Sequence, residues 1–143
     1  TPEEIDASIA KLPIPKMAAK RRDLIENGTD SQPVLSDFFT LRRMFDDMQA
    51  ALEKSKWLTG DQFGLADVAV VAYVDRLERL GMEGLWQERT PKVGQWLKAM
   101  QARPSYARAL ERYVSAEESA ATRAAAQKHW PKIKQSWEAF LRQ

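Results

Sequence analysis

The chain has no cysteine and a single histidine, His129. Without thiolates there is no disulfide framework, no cysteine nucleophile and no sulfur ligand, and one imidazole cannot assemble a zinc or haem site. A surplus of charge is missing too: 22 Lys and Arg against 20 Asp and Glu leave +2, too balanced for a nucleic-acid footprint. The basic cluster Lys16, Lys20, Arg21 and Arg22 has no aromatic residues interleaved with it on which bases could stack. No apolar run approaches the roughly 18 to 20 residues that cross a bilayer, and no signal-peptide pattern opens the chain. These absences predict a soluble cytoplasmic protein with neither nucleic acid nor membrane as partner. Nucleophilic catalysis lacks a candidate, because Ser31, Ser36, Ser55 and Ser105 lie in no recognisable elbow. The neighbouring acids Asp46–Asp47 and Glu117–Glu118 diverge around a helix instead of converging as an acid–base pair.

What is present is a series of helical patterns divided by proline and glycine, with no convincing alternating strand. Thr1-Pro2-Glu3-Glu4 reads as a capped helix start, leading a short helix that ends near Leu12. A second helix is predicted from Lys16 to Asn27. Asn27-Gly28-Thr29 matches a glycosylation pattern, but Gly28 reads first as a helix stop. The longest helix, about Val34 to Lys54, carries Val34, Phe38, Leu41, Phe45, Met48 and Leu52 at alternating spacings of three and four, a stripe that faces a core. Further helices follow from Pro91 to Ala102 and from Pro104 to Val114. Residues 116–128 are alanine-rich, and Pro131 should kink or restart the tail. The tail stripe Trp130, Ile133, Trp137, Phe140 and Leu141 calls for a surface on which to lie. It is expected to fold back on its own domain, the other options being to cap a cleft or to meet another subunit.

The most informative stretch runs from Trp57 to Asp67, Trp-Leu-Thr-Gly-Asp-Gln-Phe-Gly-Leu-Ala-Asp. It joins a turn to a helix start in which Gly64 is the N-cap and Asp67, three residues on, can accept from the cap N–H. Phe63 and Val68 are placed to form a hydrophobic staple across that start. A glycine cap offers no side-chain acceptor, a loss of only a few tenths of a kcal/mol against a good cap. The helix from Leu65 to about Leu80 then begins with Val68-Ala69-Val70-Val71-Ala72-Tyr73-Val74. With no polar face for almost two turns, it is expected to be enclosed on all sides by other elements.

The Trp57–Asp67 segment resembles the helix-six start of the glutathione transferase family, whose C-terminal domain carries Gly-Asp, an aromatic, then Ser-Leu-Ala-Asp. Pro91 opening a helix with Trp96, and Met100-Gln101-Ala102-Arg103-Pro104-Ser105-Tyr106 after it, are similar to that family's later helices in order and spacing. The resemblance covers about residues 33 to 112, and Gly64 in place of Ser or Thr is its clearest departure.

The resemblance implies an all-α bundle around a central buried helix at about 65–80. It implies a domain at 1–115 and a C-terminal helical extension at 116–143 packing on it. It implies that a thioredoxin-like N-terminal domain, expected to be absent from this chain, binds glutathione and activates its thiol. Glutathione would then be a co-substrate of the parent protein and not a ligand of this chain, which alone should be inactive. This chain would supply the wall for a hydrophobic small molecule, with Phe38, Phe39 and Arg42 as substrate contacts, and a homodimer is implied. A competing expectation is a non-catalytic interaction module, since the same helical domain occurs in elongation-factor and tRNA-synthetase complexes. A dimer-forming scaffold held by the tail stripe is a third.

Overall fold

The computed structural model describes all 143 residues. It contains eight α-helices and no strands: α1 (Pro2–Ala10), α2 (Pro15–Asn27), α3 (Gln32–Leu52), α4 (Leu65–Arg79), α5 (Pro91–Gln101), α6 (Pro104–Ala109), α7 (Ala116–Gln127) and α8 (Trp130–Leu141). Six of the eight carry proline in the first turn, where its missing N–H costs nothing and its fixed φ already suits a helix. Pro131 is one of these, so it restarts the tail helix instead of kinking it. At α1, Thr1 Oγ1 accepts from the Glu4 N–H while the Glu4 carboxylate takes the terminal ammonium. The expected helix from Pro104 to Val114 is shorter than its pattern suggested. It stops at Ala109, and a 3₁₀ turn spans Glu111–Tyr113.

The core forms where the α3 stripe meets the other helices. Phe38, Phe45, Met48 and Leu52 pack with Val93, Trp96, Leu97 and Met100 of α5, with Val71 and Val74 of α4, and with Leu85 and Trp86. Burying each such side chain contributes roughly 1.5 to 3 kcal/mol. The tail closes the other side of α3: Trp137 is buried edge-on to Phe38, ring centroids 5.4 Å apart, and Phe140 lies 6.0 Å from the same ring. Gly84 admits Trp130, since a Cβ there would sit 2.6 Å from Trp130 Cζ2.

One expectation is overturned. α4 is central in sequence but is not enclosed on all sides: Asp67, Val71, Val74 and Asp75 are buried, whereas Leu65 is 86% exposed, Tyr73 68% and Val68 52%. Ala69, Ala72 and Arg76 share that open side. At 100° per residue these six fall on one face, opposite the buried four. The uniform apolar run therefore conceals an ordinary division into an inward and an outward face. The second face is apolar as well until Arg76, and no element of this chain covers it.

Candidate functional site: the groove between α3 and α4

Beside the open face of α4 lies a groove of about 500 Å³ between α3 and the loop and helix that follow it, lined by Phe39, Met44, Met48, Leu58 and Val70 among others. Its position depends on the loop between Leu52 and Leu65. Trp57 and Gly60 exchange both backbone hydrogen bonds, at 2.9 and 3.2 Å, and Gly60 holds φ +131, a conformation closed to most residues with a side chain. The loop is then pinned by Asp67, which has no solvent exposure. Its Oδ1 accepts from the Leu58 N–H at 3.1 Å and from Trp96 Nε1 at 2.8 Å, and its Oδ2 accepts from the Gly64 N–H at 3.0 Å. One carboxylate thus ties the loop, the start of α4 and the middle of α5 together.

At the start of α4 the Gly64 N–H bond to Asp67 is one half of a reciprocal box, because glycine has no side-chain oxygen to return the bond. The staple differs. Val68 lies on the open face, and the Phe63 ring instead meets Trp57, centroids 5.4 Å apart, and the Arg103 guanidinium, 3.6 Å above its centre. Arg103 also lies 5.3 Å from the Trp57 ring. Arginine of the Arg-Pro-Ser passage therefore clamps the aromatic pair that shapes the loop.

The three expected contact residues are not brought together. Phe39 is 61% exposed and lines the groove. Phe38 faces away into the core against Trp137 and Phe140, so the structure corrects its expected place on a ligand wall. Successive helical residues point about 100° apart, and that turn carries Phe38 from the groove side, where Phe39 and Thr40 lie, to the core side. Arg42 lies toward the tail, 6.0 Å from the Phe140 ring and near Asp46. Met44, Leu58 and Val70 were missed as lining residues. Met44 sits outside the core stripe at helical spacing from Thr40 and Met48, which was a readable signal, but the approach of Leu58 and Val70 depends on the loop fold.

The sequence reading also missed a buried polar trio. Tyr106 donates its hydroxyl to Asp75 Oδ1, Arg79 Nε donates to Asp75 Oδ2 at 2.7 Å, and Arg79 Nη2 donates to the Tyr106 oxygen at 3.0 Å. Burial first, then the hydrogen bond to Asp75 and its charge, push the Tyr106 phenol up to about 12, while Arg79 works weakly against the shift. Its signal was Asp75 and Arg79, one turn apart at the end of an apolar run.

The profile of the glutathione S-transferase C-terminal domain family matches residues 11–104. Among curated proteins, the chain is similar to glutathione S-transferase TCHQD of Arabidopsis thaliana, 26% identical over 106 residues, covering 69% of this chain and 40% of that protein. It is similar to glutathione S-transferase GstB of Escherichia coli, 32% identical over 62 residues, covering 43% of this chain and 28% of that protein. Glutathione S-transferase hmp2 of Hypomyces subiculosus is 31% identical over 67 residues, covering 47% and 31%. The chain thus spans two-fifths or less of the length of these relatives, and no solved structure is significantly similar to it. With a family profile spanning most of its length and an all-helical fold to match, the chain belongs to the glutathione S-transferase C-terminal domain family.

Proposed function

We propose that this chain is the hydrophobic half of a glutathione transferase, supplying an apolar wall for an electrophile while a thioredoxin-like domain binds glutathione. The observation that carries the reading is the uncovered apolar surface of α4, where Leu65, Val68 and Tyr73 lie open beside the groove lined by Phe39, Met44 and Val70. A folded chain that leaves large side chains out along one helix face presents an interaction or ligand surface. Nothing in the groove is built to ionise a thiol, since its charged members, Arg43 and Asp47, lie at 3.9 Å from one another on an exposed rim. A free thiol of pKa near 8.5 is only a few per cent thiolate at neutral pH, so activation has to come from outside this surface.

In this reading glutathione is a co-substrate of the whole protein, the open α4 face receives the thioredoxin-like domain, and residues 116–143 are an extension of a domain at 1–115. A homodimer in the cytoplasm completes the proposal. Titration calorimetry of the chain with chlorodinitrobenzene and, separately, with glutathione tests the division of labour. The apolar electrophile should bind weakly, Phe39→Ala should weaken it further, and glutathione should give no heat. Retention of this chain on immobilised glutathione would contradict the proposal.

A further inference from the structure

A second cavity, about 780 Å³, lies at the far end of α4, roofed by α7 and floored by the polar trio, with Asp75, Arg79, Tyr106, Ser119 and Arg123 among its lining. Whereas α3, α4, α5 and α8 each bury at least one residue, α7, like α2, has none. Two side chains hold it down. Arg123 donates to the Glu78 carbonyl at 2.7 Å and to the Glu83 carboxylate at 2.8 Å, and Gln127 donates to the Leu80 and Gly81 carbonyls at 3.2 and 2.9 Å. The Gln127 bonds satisfy the Leu80 and Gly81 carbonyls, past the end of α4 where no later turn bonds them, and Arg123 adds a second bond to the Glu78 carbonyl, which also accepts the Gly81 N–H at 2.8 Å.

The seat is shaped for those two side chains. Gly81 holds φ +73, and a Cβ there would lie 2.2 Å from Gln127 Nε2 and 3.1 Å from Arg123 Cζ. α7 also carries its own start: Ser115 Oγ accepts from the Glu118 N–H at 3.1 Å and the Glu118 carboxylate accepts from the Ser115 N–H at 3.1 Å. An alanine-rich helix with a complete capping box keeps its form without a packing partner better than most. α8, by contrast, is fixed by the burial of Trp137 and the seating of Trp130 on Gly84.

We propose that α7 is a detachable strap: it lifts off α4 as a unit, opening the cavity over Asp75, Arg79 and Tyr106, while α8 stays docked. Its hinges are the extended Val114–Ser115 link and the Lys128–His129 turn. A segment with no buried side chain, held chiefly by hydrogen bonds from two side chains, opens at lower free energy than one held by buried aromatics. The Arg123–Glu83 pair is half exposed on the arginine side, so added salt screens it and favours the open form.

Hydrogen exchange of the full chain, read segment by segment, tests this at low and at molar salt and in the Arg123→Ala/Gln127→Ala variant. Because the chain has no cysteine, Ser119→Cys adds one reporting thiol under the strap. The strap predicts that amides of residues 116–127 exchange at least about tenfold faster in the double variant, which removes four hydrogen bonds where the loss of one charge-assisted bond already has that effect. High salt moves them the same way, and the thiol labels faster under both conditions, with residues 130–141 unchanged. Exchange that rises in α7 and α8 together, or an α7 indifferent to both the variant and salt, overturns the proposal. So does a thiol that labels at one rate throughout.

Discussion

Asp67 Oδ1 accepts the indole N–H of Trp96 at 2.8 Å, with both side chains sealed from solvent. The same carboxylate holds the Leu58 and Gly64 amides, so what the sequence presents as a local helix-start residue is also a long-range tie between α4, α5 and the loop beside the groove. Capping and tertiary packing share one side chain.

Removing that carboxylate should therefore cost more than a cap. A lost cap is worth about 0.5 to 2 kcal/mol, but Asp67→Ala leaves three N–H donors without their acceptor, at about 1 to 3 kcal/mol for each that water cannot reach. Urea denaturation should show a loss of about 3 kcal/mol or more. Trp96→Phe leaves Asp67 two donors and should lose less, and the double variant should fall short of the sum of the two, as expected for directly bonded partners. Gly64→Ser, attractive from the sequence as a better cap, places its Cβ 3.1 Å from Thr59 Oγ1. It should be close to neutral in the same measurement.

The polar trio predicts an alkaline limit. Tyr106 titrates at about 12 in the folded chain against 10.0 ordinarily. The raised value means that the unfolded chain loses this proton first as pH rises. Its contribution is complete below pH 10 and falls away as pH climbs to about 12. Tyr106→Phe should be less stable at neutral pH by about 1 to 2 kcal/mol, the worth of its hydrogen bonds, and should show a shallower decline over that alkaline window. Equal alkaline slopes for the two proteins would contradict the assignment.

Gly84 offers a steric test of how the tail is seated. Its φ is not positive, so Gly84→Ala introduces no backbone strain, only a methyl 2.6 Å from Trp130 Cζ2. Overpacking of this kind costs about 1 to 3 kcal/mol, and the tryptophan emission should shift as the ring is displaced. A variant with wild-type stability and emission would mean that the tail is not held where the structure places it.

Local chemistry was legible in the sequence. The α3 stripe, the proline-led helix starts and the Gly64–Asp67 start could be read because period and cap residues act within one or two turns. The central helix shows where that reading stops. Val68, Val71 and Tyr73 look alike as apolar residues, and only the position of α5 and α3 decides that Val71 is inside and the other two are outside. Phe38 and Phe39 present the same problem at the groove, since neighbouring aromatics point about 100° apart and the sequence does not say which of the two turns into the core. The Asp67–Trp96 bond and the Asp75–Arg79–Tyr106 trio span 29 and 31 residues at their widest, beyond the reach of any periodicity. Gly81 and Gly84 read as loop punctuation, yet their missing side chains make room for the tail.

The most direct test of the account is the triple variant Leu65→Lys, Val68→Lys and Tyr73→Lys, followed by urea denaturation and by the emission of an apolar surface dye. If α4 keeps one face for its own domain and leaves the other for a partner, stability should stay within about 1.5 kcal/mol of wild type, about 0.5 for each of three surface positions, while dye emission drops. A loss of several kcal/mol would show that this face is enclosed after all, and the uncovered surface on which the functional reading rests would not exist.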